Sequence, residues 1–208
     1  NILLDVLAYN THYLGFNANM LANEMFLDSS SLRSSIVSHA KTLGYTPSSA
    51  RAAKAVVDVT LNTNEASLTM PAGTVFNTTV DGVEYKFSTI TDVTKSNAGN
   101  NVPFLNTDIY EGTFITTRYT VDSSNIDQRF LLTNNRADTT TLTVKVQTSS
   151  SDSTTTTYTE ATDITQVTAS SNVYFLQEVE AGLFEIYFGD GVIGSALSDG
   201  NIVILTYV

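Results

Sequence analysis

The chain has 208 residues, a formal net charge of −11 and no cysteine. A length of this order forms one domain or two small ones with a sizeable core, and the lack of cysteine excludes disulfides, thiol nucleophiles and thiolate metal sites and suits a reducing compartment. The acidic balance argues against nucleic acid, whose phosphates select clustered Lys and Arg; no run approaches the roughly 20 apolar residues that span a bilayer, and no signal-peptide pattern opens the chain.

The first element is a helix running to about Leu27, and it carries two apolar stripes. Ile2, Val6, Tyr9, Tyr13, Phe16, Met20 and Leu27 follow a 4-3 spacing broken by Asn23, and Leu3, Leu7, Leu14, Leu21 and Met25 line a second face about 100° round. A surface helix of a self-contained domain needs one stripe, so the second predicts a neighbouring chain. The expected partner interface is therefore Ile2, Leu3, Val6, Leu7, Tyr9, Tyr13, Leu14, Phe16, Met20, Leu21, Asn23 and Leu27. Asn23 is a candidate register-setting polar residue within the stripe. Gly15 weakens the helix by up to ~1 kcal/mol relative to Ala. The apolar period is already running at Ile2 with no cap ahead of it, which predicts a fragment of a longer protein.

A second helix follows, with Asp28 or one of Ser29 to Ser31 as its expected cap and Leu32, Ile36, Val37, Ala40 and Leu43 as its apolar face. Gly44 ends it, with Lys41 in the last turn and Pro47 just beyond. Residues 1–47 are thus expected to form an N-terminal helical hairpin.

From about Ala55 the apolar period changes from helical to two, which predicts that residues 48–208 are a mostly antiparallel β domain; the fold class is α+β. Val57, Val59 and Leu61 alternate with polar residues, and further strands are expected at 68–70, 75–76, 83–87, 114–121, 130–133, 142–147, 173–179, 184–188 and 202–207. Asp81-Gly82 between two alternating runs marks a two-residue hairpin turn. Lys95 to Asp108 reads as a long loop anchored by Phe104 and Leu105, and Ser149 to Thr157 as a Ser/Thr hairpin tip.

Charge is distributed unevenly. After Lys145 there is no Lys or Arg, whereas Asp152, Glu160, Asp163, Glu178, Glu180, Glu185, Asp190 and Asp199 all fall there; Arg33, Lys41, Arg51 and Lys54 share a stretch with only Asp28 for balance. Such asymmetry suits complementary docking between subunits, and a solvated surface is the plainer reading.

Motifs for chemistry are weak. Gly189-Asp190-Gly191-Val192-Ile193-Gly194 is a literal G-x-G-x-x-G, but a dinucleotide fingerprint opens a crossover helix within a unit of about 30 residues, and only Ser195 to Asn201 separate it from the next strand. Tight turns between antiparallel strands explain its glycines. His12 and His39 have no metal-ligand spacing, and Asp190 with Asp199 lacks the calcium-loop pattern. No pair of carboxylates forms a short catalytic motif. The sequence is accordingly expected to hold no cofactor, metal or catalytic residue and to act on no small-molecule substrate.

Three stretches together resemble a known family. Leu3 to Asn10, leading through Asn23-Glu24-Met25-Phe26-Leu27-Asp28 to Ser38 to Pro47, is similar to the N-terminal part of the baseplate wedge subunits of T-even-like contractile-tail phages. Met70-Pro71-Ala72-Gly73-Thr74-Val75-Phe76 and Phe188 to Gly194 resemble the start and end marks of the baseplate J-like domain, with Tyr110-Glu111-Gly112 and Asn134 to Thr140 between them. The resemblance implies a non-enzymatic structural protein of the virion tail baseplate, assembled in the host cytoplasm. Its implied partners are a second copy of itself and other baseplate wedge proteins, met through a helical bundle, and its implied duty includes the rearrangement that accompanies sheath contraction. Nucleic acid and membrane are not among the expected partners. The main alternative is a β-rich receptor- or carbohydrate-binding module of a phage tail, which exposed clusters of Tyr and Asn in loops favour.

Overall fold

The computed structural model describes residues 2–208. Two helices, α1 (Ile2–Glu24) and α2 (Arg33–Thr42), precede thirteen strands. These are β1 (Lys54–Asn62), β2 (Ser67–Met70), β3 (Val75–Val80), β4 (Val83–Ser88), β5 (Val93–Ser96), β6 (Asn101–Glu111), β7 (Ile115–Thr120), β8 (Phe130–Leu131), β9 (Thr143–Gln147), β10 (Thr155–Glu160), β11 (Val173–Glu178), β12 (Phe184–Phe188) and β13 (Ile202–Tyr207). The chain is α+β, helices first and a mostly antiparallel β part after. It falls into two compact units, one of residues up to 48 with 177–182, the other of residues 49–176 with 183–208.

In the first unit α1 stops short of the expected Leu27. The Ser29 hydroxyl donates to the Asn23 carbonyl at 2.7 Å, and the Ser29 and Ser30 amides donate to the Phe26 carbonyl. Carbonyls at the helix end are thereby satisfied without another helical turn. The expected cap of α2 is also different. Leu32 occupies the N-cap position and makes no side-chain cap bond; instead the Glu24 carboxylate reaches across from the end of α1. It accepts from the Ser31 amide at 2.9 Å, the Ser31 hydroxyl at 2.8 Å and the Leu32 amide at 3.3 Å. His39 Nε2 closes the same corner at 3.0 Å from the Glu24 carbonyl oxygen. At the far end α2 stops as expected. Gly44 takes φ +73°, and the Tyr45 and Gly44 amides donate to the Ala40 and Lys41 carbonyls, each at 3.0 Å, the Schellman pattern.

These donors, led by the Ser31 amide, hold the Glu24 carboxyl down at about 2 from its ordinary 4.5. A carboxylate depressed on folding contributes stability that is fully present above its unfolded pKa and is lost as pH falls through the folded value. The helical corner is therefore expected to loosen between about pH 4.5 and pH 2. The Ser31 and Leu32 amide-proton shifts should titrate with a midpoint near 2, and in E24Q they should be flat over the same range.

In the second unit the strands form a four-stranded sheet ordered β1-β6-β4-β3, a seven-stranded sheet ordered β7-β13-β9-β10-β11-β12-β8 and a two-stranded ribbon β2-β5. The pairing of β10 with β11 is parallel, and the other described strand pairs are antiparallel. Asp81 and Gly82 take φ +51° and +80° between Val80 and Val83, as a type I′ turn requires.

The segment 95–108 is not a long loop. Its first residues complete β5, and β6, at 11 residues the longest strand, takes Asn101 onward. Only residues 97–100 turn, with Gly99 at φ +75° and Asn100 at +69°. Pro103 is tolerated because β6 pairs with β1 there, while its pairing with β4 is confined to Tyr110 and Glu111; a missing N–H costs no ladder bond on the free side. Phe104 is buried as expected, but Leu105 points to the other face and is exposed. The Ser/Thr tip is likewise shorter than expected, since Thr155 already pairs with Gln147 in β10.

The main core gathers Leu132, Val144, Phe184, Ile186, Val203, Leu205 and Tyr207. Tyr119, Phe130, Phe188 and Tyr158 form an edge-to-face chain beside them, with centroids 5.4 to 5.7 Å apart. A smaller cluster of Met70, Val102 and Phe104 lies under the ribbon. Buried Asp138 ties the chain ahead of β1 to the segment after β8. Its carboxylate accepts from the Ala52 amide at 2.9 Å and from the Thr140 amide at 2.9 Å.

Candidate functional site

A 23-residue helix with no buried residue is the feature of this protein that its own core does not explain. From Ile2 to Asn23 its sequence holds one charged residue, Asp5, so α1 lacks the charged outer face of an ordinary surface helix. Ile2, Leu3, Val6, Leu7, Tyr9, Tyr13, Leu14, Phe16, Met20 and Leu21 are all on α1, and each leaves between 44% and 83% of its surface exposed. Tyr9 and Tyr13, one turn apart, stack with centroids 6.2 Å apart and planes at 19°, which orders the first stripe without burying it.

Of the remaining expected interface residues, Asn23 lies exposed in the last turn of α1, and Leu27 lies past its end in the connecting turn. The early stop enforced by Ser29 takes Leu27 off the helical register. Gly15 has open space where a side chain would stand, so no contact within the chain explains a residue that weakens the helix.

The same unit holds its charged anchor elsewhere. Arg33, at the start of α2, binds both oxygens of the Glu178 carboxylate, Nε to Oε1 at 2.8 Å and a terminal nitrogen to Oε2 at 2.7 Å. The Glu178 side chain is 1% exposed, and an unpaired carboxylate at such a position would be strongly unfavourable. Sequence reading found both residues but not the pair, because 145 positions separate them.

The glycine motif does not build a phosphate site. The Asp190 carboxylate accepts from the Val192 and Ile193 amides at 2.9 and 3.1 Å, occupying the backbone donors a phosphate needs, and holding its own pKa down. No helix follows; the turn closes with the Gly191 amide on the Gly194 carbonyl at 3.0 Å. Asp199 is engaged separately, accepting from the Ser123 amide at 2.9 Å. Among the described residues no three His, Asp or Glu side chains gather as a metal-holding group, and no helix is long and apolar enough to cross a membrane.

Residues 1–45, which contain α1 and α2, match the family described as baseplate wedge protein gp6-like, helical domain. The chain is also 28% identical, over 207 residues, to baseplate wedge protein gp6 of Enterobacteria phage T4. The likeness is to a baseplate wedge subunit. The alignment takes in 96% of this chain and 30% of the T4 protein, so the chain spans less than a third of the length of that relative. The gp6-like helical match coincides with the uncovered helix and the corner closed by Glu24.

Proposed function

We propose that this chain is a structural component of a contractile phage tail baseplate wedge, in which α1 enters a helical bundle formed with a second copy and with other wedge proteins. Its place is the tail baseplate of the virion, its role is non-enzymatic, and it takes part in the rearrangement that accompanies sheath contraction. The β part, marked by Met70 to Phe76 and Phe188 to Gly194, serves as a baseplate J-like domain. The observation that carries the reading is the exposure of both stripes of α1 within the segment that matches the gp6-like helical domain.

Magnitudes are compatible with an assembly seam. Six side chains of the first stripe lie on α1 (Ile2, Val6, Tyr9, Tyr13, Phe16 and Met20), and at about 1.5 to 3 kcal/mol each when fully buried they give an upper bound on the order of 9 to 18 kcal/mol. Association and ordering remove roughly 4 to 15 kcal/mol. The surplus holds subunits together only if most of the stripe is covered, which favours a bundle over a single crossing.

An open concavity of about 440 Å³ lined by Asn62, Thr63, Asn64, Gly99, Asn100 and Asn101 favours the second reading, a carbohydrate-binding module. It offers amides but no aromatic face for a sugar ring, and it leaves α1 unexplained. Light scattering of the full-length protein, alone and mixed with candidate wedge proteins, separates the two. The wedge reading expects a defined higher mass; a strict monomer that joins none of them and retains glycans on an array supports the alternative.

A further inference from the structure

Two loops of the second unit come together beside β11 and β12 and leave apolar side chains in the open. The Gly194 amide donates to the Thr168 carbonyl at 3.1 Å and the Ser195 amide to the Ser171 carbonyl at 2.8 Å, so the turn 189–194 lies against the segment 163–171. A side chain added at Gly194 would sit 3.2 Å from Val173 Cγ2, which places that turn over the start of β11. Two residues along, Phe175 stacks on Tyr187 with centroids 5.4 Å apart and planes at 19°. Tyr187 of this pair, Val192 and Ile193 of the turn and Ile164 of the segment 163–171 are all exposed, Val192 to 72%.

The rim of this surface is acidic. Glu160 and Asp163 line a shallow concavity with Val167 and Val173, and Asp190 stands in the adjoining turn. Hydrogen bonds from Thr165 and from the Val192 and Ile193 amides hold Asp163 and Asp190 below the usual carboxylate range, so both carry charge at neutral pH. Arg129 is paired with Glu185 of β12 at 2.7 Å. An exposed apolar patch with a rim of one charge sign marks a protein-binding surface.

The complementary surface is on the same sequence. Between the end of α2 and the start of β1 the chain has no regular secondary structure, and it exposes Leu43 and Tyr45 between Lys41 and Arg51. Neither Lys41 nor Arg51 enters an ion pair among the described residues. A short segment with a base at either end and two exposed apolar side chains suits an acid-rimmed apolar patch. We infer that the surface built by Ile164, Phe175, Tyr187, Val192 and Ile193 docks residues 41–51 of a second copy of this chain. The inference rests on the proposal that copies pair in the wedge, and adds a contact separate from the α1 seam.

Residues 1–208 contain no cysteine, so thiols introduced here report on this region alone. One full-length copy carries T46C and the other S170C; the copies are mixed, treated with a short thiol-specific cross-linker and mapped by mass spectrometry. A Thr46–Ser170 cross-link between copies is expected. E160K in the S170C copy should lower its yield about tenfold, and K41E in the T46C copy should restore part of it. V192E should lower the yield without rescue by K41E. If copies carrying L3C cross-link through α1 while the 46–170 pair gives nothing, the docking surface is wrong and the α1 seam stands. If neither pair links, copies do not associate and both proposals fail.

Discussion

Tyr13→Asp and Leu14→Asp, one on each stripe of α1, are each expected to weaken wedge association at least about 100-fold while leaving thermal unfolding of the β part unchanged. Each substitution removes about 1.5 to 3 kcal/mol of apolar burial and brings in a charge that cannot be solvated within a bundle. With roughly 1.4 kcal/mol per tenfold change in affinity, the loss from burial and charge together exceeds two decades. The second half of the expectation follows from the structure, because α1 contributes no buried residue and its loss opens no cavity within the chain. Titration of a full-length variant against its partners, beside a melting curve, checks both halves. A variant that melts early and still assembles would show the stripes to be internal packing. If only one of the two sites is sensitive, α1 has one partner and not two.

The second large effect is expected at a glycine. Gly189 ends the strand edge beside the turn closed by Asp190, and a Cβ there would overlap the Ile193 carbonyl oxygen and the Gly194 carbonyl. Both obstacles are backbone, so no rotamer relieves them; the turn must open or β12 must shift. Because Phe188, the preceding residue, packs edge-to-face on both Phe130 and Tyr158, a shift is transmitted into the main core. Gly189→Ala should cost about 3 kcal/mol, a fall in Tm of roughly 6 to 12 °C for a chain of this size. Val192→Ser, a few residues along in the exposed tip of the same turn, should leave Tm in place. The comparison shows what the glycine motif is for: close approach of backbone to backbone, in place of the phosphate contact that the same letters suggest.

How much of this was legible in the sequence depended on whether the deciding interaction was local. The helical periods of α1 and α2, the Schellman stop at Gly44 and the I′ turn at Asp81-Gly82 depend on neighbours a few residues apart, and each is found where the pattern puts it. The cap of α2 is not legible in the pattern because the acceptor is Glu24, on the preceding helix, and a capping pattern looks only at the residues next to the helix start. Strand β6 was hidden by its own composition. Asn97, Gly99 and Asn100 are true turn residues, but Asn101 and Pro103 belong to the strand, and whether a proline is tolerated there depends on which side of β6 carries a partner. Strand β10 was hidden in the same way by a Ser/Thr run whose inward Tyr158 is its one large apolar residue. For the candidate interface, periodicity showed which side chains share a face of α1. It could not show what covers them, and it kept Leu27 in register because the Ser29 hydroxyl bond that ends the helix leaves no apolar signal. The Arg33–Glu178 pair and the acid-rimmed patch join segments distant in sequence and have no pattern to find.

Hydrogen exchange along α1, measured in the free full-length protein and in the assembled wedge, tests most directly whether this helix is completed by other chains. Amides from Ile2 to Glu24 should exchange fast in the free protein and become strongly protected on assembly, with the central strands β9 and β13 protected in both. Equal exchange of α1 in the two states, fast or slow, would contradict the account.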